Sequence, residues 1–435
     1  MTDIIEIENY LKENGYRRST PFILSVILFV FSFTVIQDLK IGLIIWVSAT
    51  ILEFLVWFIL TRIPKGNKNK SILIAINSDE RSERNVFLKD FLETFEELNN
   101  QDEELKLEVI KLPRYYSKKV DASNWLEYSD RSRCDFVLWG NVKIRNVKGK
   151  ETIALNLKSG LRHRPTDENL SKILQDEMAR TGAHQIFLDI NNELIETHLL
   201  AQWINIYFKY LSIIASNING DYNFSLLQIP KLENLINKSS NKNGSILTIR
   251  SRLKQRRLEA LENKINFLYQ GWRNTREIAT FKEIFNASKK ALSLKVSSDY
   301  ITFIAMYEVI NNNAFNKAIK LLNPFTKEVI IRLNIAFCYC LKGNYLKAIS
   351  LYKSIDFSTT DISIVEQIEE FSIWYHQEKN NNDVYLILCL INLYGKEDFL
   401  RAKKDYEVFY HNAKNSKEGE KALKKLKRLI IPKNS

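Results

Sequence analysis

The sequence predicts a two-helix transmembrane hairpin, a small α/β domain and an all-α helical repeat domain, in that order along the chain. Two long apolar runs near the N-terminus indicate the hairpin, because each is long enough to cross a hydrocarbon core. In the next part, short apolar segments alternate with helix-spaced ones and predict the α/β domain. Only 13 Gly and 7 Pro occur among 435 residues, and this scarcity of turn residues favours long helices over an all-β fold.

The composition is that of a folded protein with an excess of positive charge. Hydrophobic residues make up 45% of the chain, which excludes an intrinsically disordered protein. The length corresponds to about two to four domains. The 63 Lys and Arg against 51 Asp and Glu give a net charge of +12. Such a charge favours an anionic neighbour, either nucleic acid or an anionic membrane surface.

The first part, residues 1–70, is expected to hold a cytoplasmic N-terminus and two transmembrane helices, 19–37 and 41–60. Each would extend about 28 to 30 Å, close to the thickness of a hydrocarbon core. Lys and Arg flank the outer ends of the pair and are scarce in the turn between them, so both termini should face the cytoplasm of a bacterial inner membrane. A buried helical hairpin of a globular core is the alternative.

Glu53 lies within the second apolar run, where a carboxylate is costly and marks a partner or a function. Counted from the turn, Ser25 of the first run lies at the same depth, so a hydrogen bond between the two side chains is expected. Three roles for Glu53 follow: a polar contact between spans or protomers, the lining of a pore, or a protonated side chain packed against the neighbouring helix.

Residues 71–165 are expected to form the α/β domain. Unbroken or alternating apolar runs predict its strands, and apolar residues at helical spacing predict its helices. The strands are expected at 71–76, 105–112, 135–144 and 152–157, and the helices at 85–98 and 124–131. Gly149 lies between the last two strands, which indicates a hairpin turn.

The stretch C-D-F-V-L-W-G-N-V at 134–142, followed by this hairpin, resembles the amino-terminal domain of TolB and its FlgO-like relatives. The matching positions are Phe136, Val137, Leu138, Gly140 and Val142. The resemblance covers about 71–164 and implies a structural or ligand-recognising domain without catalytic residues. Asn77 and Ser78 replace the proline-phenylalanine that often follows the first strand in that family.

The predicted hairpin is also rich in basic residues. A candidate anion-binding set, suited to a phosphate or nucleotide, consists of Lys143, Arg145, Arg162 and Arg164. A solvated strand face is the alternative, because it accounts for the same charges without a ligand.

The remaining chain is expected to be helical, with connecting helices and a first repeat at 166–260 and further repeats at 261–435. Several segments share an apolar helix, a polar turn, an aromatic residue and then Ala or Ser three residues later. The clearest is 329–355, with Ala336 in the first helix and Gly343 in the turn. This pattern resembles a tetratricopeptide repeat, with irregular spacing.

The repeat resemblance implies a concave groove that binds proteins rather than one that catalyses a reaction. Tyr339, Tyr345 and Tyr352 are the candidate groove residues. At the C-terminus, eight Lys and Arg oppose two Glu in residues 414–435, so half of the net charge lies there. Leucines and Ile430 line one side of this basic helix, which either lies on an anionic inner leaflet or caps the repeats as a solvated helix.

No sequence pattern indicates catalysis. The chain has no phosphate-binding loop, no H-E-x-x-H zinc motif and no G-x-S-x-G elbow. We therefore expect no enzyme activity, no metal and no cofactor. The four cysteines are interpreted as buried thiols of a reducing compartment, and they are Cys134, Cys338, Cys340 and Cys389.

The sequence thus predicts a non-catalytic sensor or scaffold protein of bacterial signalling, anchored in the inner membrane and facing the cytoplasm. It would bind the inner leaflet, and through its repeats a protein partner or ligand, either alone or as a homo-oligomer. The alternative is a membrane effector of antiviral defence, in which ligand-driven oligomerisation perturbs the bilayer. Nucleic acid is not expected as a partner, because the basic tracts flank the apolar runs and lack interleaved aromatic residues.

Overall fold

The computed structural model describes residues 25–30, 39–66, 71–78, 83–100, 107–147, 150–162, 176–177, 186–189, 193–239 and 244–430. These residues are mostly helical and include a mixed five-stranded sheet. Contacts between residues divide the chain into two compact units, Met1–Leu253 (unit 1) and Lys254–Ser435 (unit 2).

The transmembrane hairpin predicted for the N-terminus is wrong. Among the described residues, no helix is both long enough and apolar enough to cross a membrane. Helix α1, Leu39–Thr61, contains the second apolar run, which the carboxyl group of Glu53 interrupts. Most of the first predicted span, 19–37, lies outside the described residues. The predicted multi-pass localisation in the inner membrane, with both termini facing the cytoplasm, is therefore wrong as well.

The sheet of unit 1 has the strand order β2-β1-β3-β4-β5. Its strands are β1 Ser71–Ser78, β2 Glu108–Lys111, β3 Phe136–Val147, β4 Lys150–Leu161 and β5 Ile186–Asp189. Strand β1 pairs in parallel with β2 and β3, whereas β3–β4 and β4–β5 are antiparallel pairs. Four strands lie where the apolar patterns predict them, and β5 has no such signal in the sequence.

Helices cover both faces of this sheet. They are α2 Glu83–Asn100, α3 Arg114–Ser117, α4 Trp125–Ser132, α5 Glu193–Ile218 and α6 Tyr222–Lys238. Because side chains alternate along β3, Phe136 and Leu138 belong to the core shared with α2 and α5, while Val137 and Trp139 belong to the core on the other face. Helix α5, expected from its sequence to connect domains, instead packs against α2 as part of this layer.

Two glycines allow close packing around the β3–β4 hairpin. A Cβ on Gly140 would lie 2.0 Å from the carbonyl oxygen of Asn156, and a Cβ on Gly160 would lie 2.6 Å from the indole of Trp125. Any side chain at either position would push a neighbour away. Gly140 is also one of the positions that carry the TolB resemblance, so close strand packing gives a physical reason for a glycine there.

Unit 2 is a succession of helices that follows α7, Gly244–Thr275, which carries the boundary between the units. The helices are α8 Ile278–Leu294, α9 Ser298–Asn312, α10 Phe315–Leu322, α11 Val329–Leu341, α12 Tyr345–Lys353, α13 Ile362–Lys379, α14 Val384–Leu390, α15 Phe399–Ala413 and α16 Lys417–Ile430. From α8 to α12, and again from α13 to α16, each helix packs on the next. Two expected turns contain left-handed residues, Asn313 and Gly343.

Candidate functional site

Helices α15 and α16 enclose a surface groove with a volume of about 630 Å³. Its walls carry basic, acidic and aromatic side chains together with one leucine. The lining residues are Tyr406, Glu407, Tyr410, His411, Lys414, Glu420, Leu423, Lys424 and Lys427. We call this the α15–α16 groove. Its volume lies within the range of about 300 to 1,000 Å³ that is typical of ligand pockets.

The first wall of the groove is set by the way α15 is anchored. The Asp398 side chain caps the helix by accepting a hydrogen bond from the backbone N–H of Arg401 at 3.0 Å. Ala402, Phe409 and Ala413 are buried on one side, and the ring of Phe409 meets Tyr345 edge-on at 5.1 Å. Because that side faces the core, the neighbouring positions of α15 present Tyr406 and Tyr410 to the groove.

A hydrogen bond between Asn392 and Asp405 links α15 to the segment that precedes it. Asn392, in a π-helical segment at Ile391–Gly395, donates from Nδ2 to Asp405 Oδ2 at 2.7 Å. Burial raises the pKa of the Asp405 carboxyl to about 6, and Glu369 and Asp398 add to the rise, while Arg401 and the bond from Asn392 oppose it. Near neutral pH this carboxyl is ionised, although its burial favours the protonated form.

The second wall depends on a tight turn between α15 and α16. A Cβ on Gly419 would lie 2.0 Å from the carbonyl oxygen of Ala413, so only glycine allows this close approach. The Ser416 side chain accepts a hydrogen bond from the backbone N–H of Gly419 at 2.9 Å and caps α16. Together these residues fix where α16 begins relative to the end of α15.

Helix α16 is amphipathic, and its apolar side is buried against α12 and α15. The buried side chains are Ala422, Leu423, Leu426 and Ile430, whereas Lys421, Lys424, Lys427 and Arg428 are exposed. Of the two roles considered for this basic helix, burial of the apolar side favours the cap. Its basic side remains exposed along the groove.

The groove combines unpaired charge with exposed aromatic surface. Three lysines and two glutamates line it, so its formal charge is +1, and none of the five forms an ion pair with another described residue. The ring of Tyr410 is 43% exposed and lies 6.3 Å from the ring of Tyr406 and 5.7 Å from the imidazole of His411. A ligand here meets both signs of charge and an apolar surface.

The structure places two of the three tyrosines predicted to line a groove inside the core of unit 2. Tyr345 is 7% exposed and donates from its hydroxyl to Asp383 Oδ1 at 2.8 Å, and Tyr352 is completely buried. Tyr339 is half-buried, with Lys347 Nζ 5.2 Å from the centre of its ring. These three side chains therefore act mainly in packing, while the accessible groove lies nearer the C-terminus.

The predicted anion-binding residues do not form one cluster among the described residues. Lys143 and Arg145 lie in β3 beyond its pairing with β1, and nothing further is described of their side chains. Arg162 follows Leu161, which pairs with Phe136 at the other end of β3, about 23 Å from Lys143 along the strand. Its guanidinium contacts Asp130 Oδ1 at 2.6 Å. Arg164 lies outside the described residues.

The pair Glu53 and Ser25 is not joined by the expected hydrogen bond. Ser25 Oγ lies 3.2 Å from Thr50 Oγ1, and the Trp46 indole donates to the Ser25 carbonyl at 3.0 Å. Both carboxylate oxygens of Glu53 are buried and accept no hydrogen bond from the described residues. Desolvation raises the pKa of this carboxyl. The three roles considered for Glu53 stay predictions.

The described residues contain neither a metal-binding cluster nor an exposed thiol. Within them, no group of three or more His, Cys, Asp and Glu side chains could hold a metal ion. All four cysteines are free and buried, which confirms that they are buried thiols. Burial raises the pKa of Cys134 to about 11 and of Cys338 to about 12, and it also raises the pKa of Cys340 and Cys389. These thiols are protonated at neutral pH and are poor nucleophiles.

The residues of the α15–α16 groove were not recognised as a site in the sequence, although their parts were visible. The sequence predicts that the basic helix lies on a membrane or caps the repeats, and neither role indicates a ligand groove. The available signal was the run Tyr406, Tyr410 and His411 followed within a few residues by Lys414, Lys424 and Lys427. This is the combination of basic and aromatic residues that the chain was expected to lack.

Comparison with known proteins gives no match: neither a protein-family model, nor a curated protein, nor a solved structure matches the chain. The resemblances to the amino-terminal TolB domain and to tetratricopeptide repeats stay predictions.

Proposed function

We propose that this chain is a non-catalytic binding protein, a sensor or scaffold, whose unit 2 takes its ligand in the α15–α16 groove. The observation that carries this proposal is the groove itself, where Lys414, Lys424 and Lys427 have no described ion-pair partner and lie beside the exposed ring of Tyr410. Ion pairs to a ligand would neutralise these charges, and burial of the ring would add apolar contact.

A binding role fits the rest of unit 2 as well. Its consecutive packed helices resemble a tetratricopeptide array, in which each helix pair buries its apolar side against the next and leaves the other side for a partner. The effector alternative required two bilayer spans, so it is not carried further.

Two charge-reversal variants of equal net charge test this function. K424E/K427E changes two lysines of the groove, and K421E/R428E changes two exposed basic residues of the same helix that do not line the groove. Anisotropy of two labelled probes, a short acidic peptide and a single-stranded RNA of similar length, reports binding. We expect at least one probe to bind the wild type and to lose affinity only with K424E/K427E. Equal losses in both variants, or no binding of either probe, would contradict the proposed site.

A further inference from the structure

The two glutamates of the α15–α16 groove restrict what its ligand can be. Glu407 and Glu420 line the groove beside the lysines, and neither is neutralised by a described cation. A nucleic-acid backbone carries a negative charge at every nucleotide, so part of it would lie against these carboxylates. A peptide can place carboxylates opposite the lysines and leave neutral backbone N–H groups, which donate hydrogen bonds, opposite the glutamates.

The basic residues of the groove are lysines rather than arginines. The planar fork of donors in Arg matches phosphate and carboxylate alike, and the guanidinium also stacks on bases, which suits nucleic-acid sites. Lys is a point charge on a flexible chain and does not stack on bases in this way. Lys414, Lys424 and Lys427 therefore attract either kind of anion but do not supply the base stacking that a nucleic-acid site favours.

Two tyrosine rings give the groove an apolar surface. Tyr406 is half-buried and Tyr410 is 43% exposed, and the largely buried Leu423 lies beside them in the lining. This surface would be covered best by an aliphatic or aromatic side chain, because burial of apolar area from both partners stabilises a complex. A purely acidic ligand, or a free anion, would leave it exposed to water.

From these three observations we infer that the α15–α16 groove binds an acidic peptide segment of a partner protein, one that carries an apolar side chain between its carboxylates. The inference rests on the proposed function, since it names the ligand class of the same groove. The lysines select negative charge, Glu407 and Glu420 oppose a polyphosphate, and the tyrosines with Leu423 cover the apolar side chain.

Four labelled probes of matched length test the ligand class with the full chain. The first is a peptide in which Leu is placed among Asp and Glu, the second has Asn and Gln in place of the acids, the third has Ser in place of Leu, and the fourth is a single-stranded RNA. We expect the first to bind most tightly. K424E/K427E should weaken its binding about tenfold, about 1.4 kcal/mol, while K421E/R428E should change it by less than about twofold.

A second pair of substitutions separates the two classes of ligand. E407Q/E420Q removes the two carboxylates, so it should strengthen RNA binding several-fold more than peptide binding. If the RNA binds the wild type more tightly than the acidic peptide, the peptide inference is overturned, while a loss of RNA binding in K424E/K427E would leave the binding function of the groove in place. If neither the peptide nor the RNA responds to K424E/K427E, both the inference and the proposed function fail. Circular dichroism of each variant confirms folding, and K424Q/K427Q replaces the reversal if it does not fold.

Discussion

The substitution Asp405→Asn should stabilise the protein at neutral pH, because it removes a charge from a site that resists it. Burial raises the pKa of this carboxyl from 3.8 to about 6, so the folded state holds its proton over a pH range in which the unfolded chain has lost it. Binding of this proton therefore stabilises the folded state fully below pH 3.8, which is the pKa of the carboxyl in the unfolded chain. The stabilisation is lost as the pH rises through about 6, the pKa in the folded state. An asparagine stays neutral, and its oxygen can accept the hydrogen bond from Asn392.

The size of the effect follows from the change in pKa. A rise from 3.8 to about 6 corresponds to about 3 kcal/mol at most. Because Asp405 is only half-buried, solvent screens part of this, and we expect about 1.5 kcal/mol. For a unit of this size the gain raises the melting temperature by about 4 °C. At about pH 4.5 the folded carboxyl is largely protonated while most of the unfolded chain has lost this proton, so the gain should fall to about half or less.

Thermal melts followed by circular dichroism at about pH 4.5 and about pH 7.5 provide the assay. The matched control is Asp398→Asn at the start of α15, because Asn caps a helix about as well as Asp. This control should show no comparable gain that depends on pH. The reasoning is refuted if Asp405→Asn lowers the melting temperature at about pH 7.5, or changes it equally at both pH values.

Three further expectations concern packing and burial. Gly419→Ala should lower the free energy of unfolding by about 2 kcal/mol in denaturant melts, because the new Cβ would lie 2.0 Å from the Ala413 carbonyl oxygen. The control Gly271→Ala, which has open space around it in α7, should be neutral or stabilising. Tyr345→Phe should cost about 1 kcal/mol, since it removes the 2.8 Å hydrogen bond to the half-buried Asp383 carboxylate, and a loss below the error of the melts would contradict that role. The thiols should react with Ellman's reagent slowly in the native protein and quickly in urea, because all four are buried; rapid native reaction would show that one is accessible.

Local patterns in the sequence predicted much of unit 1. Apolar alternation located β1, β2, β3 and β4, since a strand with a buried side must repeat its apolar residues with a period of two. Strand β5 escaped because its four residues are too few to show a period. Helix α5 was predicted to connect domains, because its apolar residues indicate that it is buried but do not indicate which element it packs against.

The N-terminal prediction shows where local hydropathy falls short. Long apolar runs fit a membrane span and a buried helix alike, and hydropathy alone does not separate them. The structure describes an apolar helix with Glu53 at a buried position, but no membrane-spanning helix among its described residues.

The groove could not be predicted because its residues come from two helices. Helical periodicity places Tyr345 and Tyr352 on one side of a helix, but whether that side faces a groove or a core depends on what packs there: Tyr345 meets Phe409 of α15, and Tyr352 stacks on Phe357. Tyr410 and Lys424 line the same groove only because the chain turns after Ala413 and packs α16 against α15. Such a juxtaposition is a tertiary property, and neither helix shows it alone.

The most direct test of the account is a titration of the labelled leucine-containing acidic peptide with the wild-type chain, K424E/K427E and K421E/R428E, followed by anisotropy. We expect saturable binding to the wild type and to K421E/R428E, with affinities within about twofold, and about tenfold weaker binding to K424E/K427E. Equal affinities for all three proteins would show that the peptide binds elsewhere and would contradict the assignment of the α15–α16 groove as the binding site.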